Sequence, residues 1–215
     1  MKRITLLLAL VCILFTACTV KVNQEGDKSE NMTKIMPLAS TLDINNLTDC
    51  TVAVSLKKGD VYVDETGIMQ MKATVYDYDL YDMVDISQLK EGDTIVIGKK
   101  DVMISSLERN SAGTVIINGG LDQGGHELVT DENGVFYEIG YSDAKSYYSV
   151  GEATIRVSTE FEYLDSSILD AEEKIYYPGD FLTEDSGIDY NFTPHNTKVV
   201  IEAGQVIALN RVYVP

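Results

Sequence analysis

The pattern of apolar and polar positions divides the chain into three parts. Positions 4–17 are almost continuously apolar, 19–41 are polar and lack any apolar period, and after Cys50 short β-branched or aromatic runs alternate with turn residues. Short runs of this kind, separated by turn residues, predict strands. The sequence therefore predicts an all-β fold, an antiparallel barrel or sandwich with at most two short helices.

The predicted strands and turns follow one another closely along the chain. Segments 131–134 and 202–205 contain Asn-Gly and Ala-Gly pairs, which predict tight turns between neighbouring strands. Helical spacing is confined to one turn at 85–89 and a short helix near 165–174. The predicted strands are 52–56, 69–80, 94–97, 114–117, 135–139, 153–158, 199–201 and 206–214.

A short segment recurs before several of the predicted strands. LKKGDV at 56–61 reappears as LKEGDT at 89–94, and PGDF at 178–181 is a shorter third copy. Glycine takes up strained turn conformations, and aspartate hydrogen-bonds to nearby backbone groups. We therefore interpret the repeat as turn chemistry rather than as duplication of a domain.

The N-terminus has the features of a secretory signal. Lys2 and Arg3 precede the apolar run, which ends at the sequence Phe-Thr-Ala-Cys at 15–18. A positive start, a short apolar stretch and small residues before a cleavage site define such signals. A permanent membrane span needs about 20 apolar residues, more than this run supplies.

The four residues 15–18 resemble the lipobox of bacterial lipoproteins. That resemblance implies that diacylglycerol is attached to the thiol of Cys18 and that the chain is cleaved just before it. Residues 1–17 are then the signal peptide, 18–42 a lipidated N-terminus with a flexible polar linker, and 43–215 a single β domain. The alternative is a soluble secreted protein, cut near Ala17, in which Cys18 is a free thiol.

Charge and cysteine content limit the partners. Loss of Lys2 and Arg3 with the signal changes the net charge from −17 to −19, which argues against nucleic acid because phosphate backbones attract clustered basic residues. We expect the protein to lie outside the cytoplasm, held to a bacterial membrane by the lipid on Cys18, with an envelope protein, peptide or glycan as partner and no cofactor. Cys50 is then the one cysteine without an assigned role, so we expect no internal disulfide and a small buried residue at that position.

Enzyme motifs are incomplete. Segment 87–90 matches S-x-x-K but no K-T-G follows, and segment 126–130 begins like H-E-x-x-H but ends in Thr130. We predict no catalytic residue and no metal site from these segments. Two functions stay open: a non-catalytic binding or interaction module of the cell envelope, and an envelope hydrolase of glycans or peptides with dispersed carboxylates, which leave no local motif.

The densest carboxylate cluster is Asp77, Asp79, Asp82 and Asp85. It fails the calcium-loop template, because Asp82 occupies the position of the required glycine. Strand alternation places Asp77 and Asp79 on one face. We interpret the cluster as a solvated strand face rather than as a cation site.

The segment 119–126 contains four glycines and His126, one of only two histidines. Loops carry binding residues more often than strands do, and glycines permit close approach of a ligand. We predict Asp122 and His126 as ligand-binding residues, against the alternative of a plain connecting loop. Four tyrosines further on are suited to stacking with sugars or peptides: Tyr137, Tyr141, Tyr147 and Tyr148.

Overall fold

A computed structural model describes residues 32–141 and 144–214, and these residues are mostly β. The one α-helix among them, α1, spans Met83–Gln88, and short 3-10 turns span Leu121–Gln123 and Pro178–Leu182. The predicted all-β class is confirmed. The strands in chain order are β1 (Lys34–Ile35), β2 (Cys50–Ser55), β3 (Val61–Val63), β4 (Met69–Asp77), β5 (Leu80–Tyr81), β6 (Thr94–Ile97), β7 (Lys100–Met103), β8 (Leu107–Arg109), β9 (Val115–Ile117), β10 (His126–Thr130), β11 (Phe136–Ile139), β12 (Tyr148–Ser166), β13 (Lys174–Tyr176), β14 (Thr197–Glu202) and β15 (Gln205–Val212).

Five strands close into a barrel. β2 pairs with β4, β4 with β12, β12 with β15, β15 with β14, and β14 with β2. Numbered one to five along the chain, these strands meet in the order 1-2-3-5-4. The pairs are antiparallel, as predicted, except that β12 and β15 run parallel.

The barrel is filled by side chains that alternate along its strands. On β12 the buried positions include Ile155, Val157, Phe161 and Tyr163, which are two residues apart except where a bulge shifts the register after Val157. This period of two directs one face of the strand inward. The buried core of the barrel comprises Val52, Val54, Leu56, Val61, Met71, Ala73, Val75, Ile155, Val157, Phe161, Tyr163, Phe181, Ile188, Phe192, Val199, Ile201, Val206 and Leu209.

The chain between β4 and β12 builds a second core. Its sheet has the strand order β5-β11-β10-β9-β8, while β6 and β7 form a hairpin that extends to β1. Helix α1 buries Ile86 in this core. The buried residues here are Ile35, Tyr81, Ile86, Leu89, Ile95, Ile97, Ile104, Val115, Ile117, Leu128 and Phe136.

Strand β1 joins the N-terminal part of the described chain to this second core. It pairs in parallel with β6, and Ile35 is buried. The backbone N–H of Leu38 donates to the carbonyl of Leu80 at 2.7 Å. The folded part therefore begins before residue 43, where the sequence was interpreted as still being a flexible linker. A single buried apolar residue, Ile35, gives no period from which this strand was predictable.

The recurring Gly-Asp segments are turns, as predicted. The N–H of Asp60 donates to the carbonyl of Lys57, and the carboxylate of Asp60 accepts the N–H of Lys57 at 2.7 Å. Gly59 lies between them with φ of 90°, a conformation that glycine adopts without steric cost. The same two bonds recur in the other copies, between Lys90 and Asp93 and between Tyr177 and Asp180.

The two predicted hairpin turns are confirmed. Segment 131–134 connects β10 to β11, and 202–205 connects β14 to β15. In the first turn only Gly134 of the Asn-Gly pair has a positive φ. The carboxylate of Asp131 accepts the backbone N–H groups of Asn133 and Val135, which closes the turn.

Of the two predicted helical segments, the first is confirmed and the second is wrong. Helix α1 covers most of 85–89, and Asp82 caps it by accepting the N–H of Val84 at 2.7 Å. Near 165–174, β12 instead continues to Ser166, because Asp165 is buried beside Arg211 and does not cap a helix. Among the described residues, no helix has the length and apolar character needed to cross a bilayer.

Candidate functional site

A groove of about 1120 Å³ is lined by both the barrel and the segment inserted between β4 and β12. The barrel contributes residues from β2, β4, β12 and β14, and the inserted segment contributes residues from β6, β7 and the turn between them. A third part of the wall comes from residues 34–49, which precede β2. Small-molecule pockets usually measure about 300–1,000 Å³. The groove is therefore large enough for an extended ligand.

Tyrosines form part of the groove wall because two barrel strands meet there. β4 ends at Asp77, which pairs with Tyr148 at the start of β12. The rings of Tyr78 and Tyr147 meet edge to face, with their centroids 5.6 Å apart. The tyrosines of the groove are half-buried, so part of each side chain faces the open space: Tyr76, Tyr78, Tyr147 and Tyr148.

Two lysine side chains lie against these tyrosines. The Nζ atom of Lys145 is 3.9 Å from the centre of the Tyr78 ring and 4.9 Å from that of Tyr137. The Nζ atom of Lys99 is 4.8 Å from the centre of the Tyr148 ring. Ammonium groups are attracted to aromatic faces at such distances. The groove thus places two ammonium groups against aromatic faces, in a lining that holds four lysines and five aspartates in all.

A smaller cleft of about 290 Å³ shares Asp79, Tyr147 and Tyr148 with the groove. It also contains His126 and Glu138, whose Nδ1 and Oε1 atoms are 2.5 Å apart. β10 and β11 are paired strands, which places the two side chains next to each other. The cleft therefore brings together two carboxyl groups and one imidazole from distant parts of the chain.

Asp79 is buried, and the interpretation of its carboxylate as part of a solvated strand face is wrong. Its carboxylate accepts the N–H of Gly98 at 2.6 Å. Burial raises the pKa of Asp79, against the opposing effect of hydrogen bonds from Gly98, Tyr148 and Tyr81. Burial and the nearby Asp79 likewise raise the pKa of Tyr148. The raised pKa of Asp79 follows from its burial. Asp79 lies two residues beyond the end of β4 at Asp77, so strand alternation does not determine its exposure.

The two predicted ligand-binding residues of the glycine-rich segment lie apart. His126 is the first residue of β10 and lines the cleft, whereas Asp122 is exposed on the 3-10 turn Leu121–Gln123 and lines neither cavity. Gly125 lies close to other backbone: a Cβ atom there would be 2.1 Å from the carbonyl oxygen of Ile117. At least this glycine is needed for packing.

The cleft has the groups for acid and base chemistry but no activated nucleophile. Ser146 lines it, yet its hydroxyl makes no hydrogen bond to His126. In the described part of the chain, no group of three or more His, Cys, Asp and Glu side chains is arranged to hold a metal ion. The titratable groups that line the cleft are Asp79, Lys100, His126, Glu138 and the phenols of Tyr147 and Tyr148.

The cysteines are placed differently. Cys18, the predicted lipidation site, lies outside the described residues. Cys50 is half-buried, contacts the barrel core and also lines the groove, so the expected full burial is only partly met. Burial, together with Asp49, raises the pKa of its thiol.

Several residues of the site are not predicted by the sequence patterns. Among them are Asp79, which strand alternation places on a solvated face, together with Lys99, Lys145 and Glu138. The signal for Lys99 was the Gly98-Lys99 pair at a two-residue hairpin turn between β6 and β7. Lys145 lies next to the tyrosine-rich stretch 147–148, but only the folded chain shows its ring contacts.

Comparison with known proteins adds no relative. No protein-family model matches the chain, and neither a curated protein nor a solved structure matches it.

Proposed function

We propose that the protein is a lipid-anchored, extracytoplasmic binding module of the cell envelope and that its groove binds a glycan. The observation that carries the proposal is the groove of about 1120 Å³ whose wall contains Tyr76, Tyr78, Tyr147 and Tyr148 beside polar side chains. Tyrosine offers a flat apolar face together with a polar hydroxyl. A pyranose ring has the same combination of an apolar face and polar edges.

The anchor is the second part of the proposal. It is supported by the signal-like N-terminus and the lipobox-like residues 15–18. Two or more acyl chains hold a protein stably at a membrane, whereas one chain does so marginally. We expect Cys18→Ala to leave the protein in the aqueous phase of a detergent partition, and unchanged partition into the detergent phase would contradict the anchor.

The binding experiment uses the full chain in detergent micelles and oligomers of cellulose, xylan and chitin as probes. We expect at least one glycan to bind, and Tyr147→Leu to weaken that binding about tenfold because the ring face is lost while apolar volume is retained. Tyr141→Leu is the matched control. Tyr141 is 73% exposed and lines neither cavity.

Two outcomes would contradict the glycan proposal. One is binding to an envelope peptide panel with no binding to any glycan. The other is equal loss of glycan binding in the Tyr147 and Tyr141 variants. Thermal melting of both variants, followed by circular dichroism, separates loss of binding from loss of folding.

A hydrolase is the second candidate, and the cleft favours it specifically. Glycoside hydrolysis uses two carboxyl groups, one protonated and one ionised. Asp79, whose pKa is raised by burial, and Glu138 lie in the same cleft, which adjoins the proposed glycan groove. Release of reducing ends from a bound glycan, abolished by both Asp79→Asn and Glu138→Gln, would establish this function. Binding without any release would leave the module non-catalytic.

A further inference from the structure

We propose that the glycan bound in the groove is anionic and that Lys99 and Lys145 recognise its carboxylate groups. This inference rests on the proposed glycan-binding function and adds the charge of the ligand. The net charge of −17 alone favours a cationic or neutral partner. The proposed anionic ligand is the opposite of that expectation.

The first observation is how the two ammonium groups are held. Lys145 lies over Tyr78 and Tyr137, and Lys99 lies over Tyr148. An aromatic face attracts a cation without neutralising its charge. Both ammonium groups are therefore positioned at the groove wall and keep their full charge for a ligand.

The second observation is pairing. Within residues 32–141 and 144–214, neither Lys99 nor Lys145 has a carboxylate oxygen within 4.0 Å, whereas Lys34 in the same groove pairs with Asp101 at 2.8 Å. The chain has 34 acidic residues against 17 lysines and arginines. The lack of carboxylate partners at these two groove lysines is therefore not due to a shortage of acidic residues.

The third observation concerns three of the five aspartates that line the groove: Asp77, Asp79, and Asp101, which pairs with Lys34 at 2.8 Å. Asp77 accepts the hydroxyl of Ser40 at 2.5 Å and the N–H of Tyr78 at 2.9 Å. Asp79 is buried and accepts the N–H of Gly98. These carboxylates are engaged by donors of the protein itself, whereas Lys145 donates one hydrogen bond, to the hydroxyl of Tyr78 at 2.7 Å, and keeps two N–H groups for a ligand.

The fourth observation is backbone strain at Lys99. It is the second residue of the two-residue turn between β6 and β7, with φ of 67°, after Gly98 with φ of 55°. Such turns favour Gly, Asn or Asp, and the left-handed conformation is unfavourable for lysine. Strained residues cluster at ligand sites. The turn therefore keeps a lysine where a less strained residue would give a more stable hairpin.

Repulsion by the rest of the acidic chain does not prevent this recognition. At physiological ionic strength, exposed charges farther apart than about 8 Å are largely screened. Contact between a ligand carboxylate and a lysine in the groove is shorter than this and persists. The groove lining contains five aspartates and four lysines, so an anionic ligand is recognised by direct contact with Lys99 and Lys145 and not by a net positive charge of the groove.

The experiment compares two ligands that differ in charge and by one methyl group per sugar: oligomers of galacturonic acid and the same oligomers as methyl esters. With the full chain in detergent micelles at about 0.15 M salt, we expect the acid to bind about tenfold more tightly than the ester. Lys99→Gln with Lys145→Gln should abolish this preference and leave ester binding within twofold. Lys57→Gln with Lys58→Gln, at two exposed lysines outside the groove, removes the same charge and should change nothing.

A second variant distinguishes loss of ligand recognition from loss of folding. Lys99→Gly suits the positive φ, so we expect a raised melting temperature together with a reduced preference for the acid. Equal binding of acid and ester by the unmodified protein, or loss of ester binding in the double variant, would overturn the inference and leave glycan binding standing. Failure to bind any glycan would overturn the proposed function itself.

Discussion

The imidazole of His126 and the carboxylate of Glu138 are joined by a contact of 2.5 Å between Nδ1 and Oε1. The side chain of Glu138 is only 13% exposed and that of His126 27%. The pair fixes the orientation of the ring in the smaller cleft, which adjoins the tyrosine-lined groove. His126 is thus built into a site, whereas its sequence neighbour Asp122 is not.

The sequence predicts both His126 and Asp122 as ligand-binding residues, but only His126 lines a cavity. We expect His126→Ala to weaken binding of a groove ligand about threefold to tenfold, because the cleft shares Asp79, Tyr147 and Tyr148 with the groove. Asp122→Ala should leave both affinity and stability unchanged, as exposed substitutions usually do. Titration of each variant with the same glycan tests the pair. A larger effect of Asp122→Ala than of His126→Ala would contradict this assignment.

The glycines of segment 119–126 have different roles. A methyl group at Gly125 would collide with backbone oxygens of Ile117 and Asn118 at 2.1 and 2.5 Å. We expect Gly125→Ala to lower the free energy of unfolding by about 3 kcal/mol or more, since backbone must move. Gly124 has open space around it and φ of 76°, so Gly124→Ala should cost about 1 kcal/mol. Urea denaturation measures both, and equal costs would contradict the packing role of Gly125.

The end of the barrel is held by a buried ion pair. Arg211 donates to both carboxylate oxygens of Asp165, at 3.1 and 2.9 Å, and the two side chains are 3% and 8% exposed. Hydrogen bonds from Ser167 and Arg211 lower the pKa of Asp165 although burial alone would raise it. A lowered carboxyl pKa stabilises the folded state above the unfolded pKa of about 3.9, and the contribution is lost as pH falls through the folded pKa.

We therefore expect Asp165→Asn to destabilise the protein by about 3 kcal/mol at pH 7, because it leaves the buried Arg211 charge without its partner. The loss should shrink in acid. Asp189 also contacts Arg211, at 3.2 Å, but is 68% exposed, so Asp189→Asn should cost about 0.5 kcal/mol. Urea unfolding at several pH values checks both variants, and equal costs at pH 7 would count against the buried pair.

Asp79 should give the opposite pH dependence. Burial raises the pKa of its carboxyl group, so folding favours the protonated form. Its contribution to stability is then fully present below the unfolded pKa of about 3.9 and is lost as pH rises through the folded pKa. The stability of Asp79→Asn relative to the unmodified protein should therefore increase with pH. A relative stability that falls as pH rises would show that the carboxylate is favoured in the fold.

The elements predicted correctly are those whose signals are local. The Gly-Asp turns at 56–61 and 89–94 need only a glycine, an aspartate and the backbone within three residues. The eight predicted strands and the two hairpin turns follow in the same way from apolar, β-branched runs and turn residues. Parallel pairing of β12 with β15 brings together segments some 50 residues apart, and no local pattern specifies it.

The site was less predictable for the same reason. His126 was identified, but Glu138, which fixes its ring, lies on a different strand. Strand alternation predicts that Asp79 is exposed. Asp79 is instead buried, because β4 ends at Asp77 and the alternation does not extend to residue 79. Residue types alone do not show which carboxylates are buried, and burial decides both the pKa and the role of Asp79.

Hydrogen–deuterium exchange of the full chain, with and without galacturonic acid oligomers, tests the central claim most directly. If the groove is the binding site, added glycan should slow exchange in three segments that line it: 46–53, 76–80 and 145–148. Exchange in the turn 121–124, which lines neither cavity, should not change. Bound glycan with unaltered exchange in all three groove segments, or protection confined to other parts of the chain, would contradict the account.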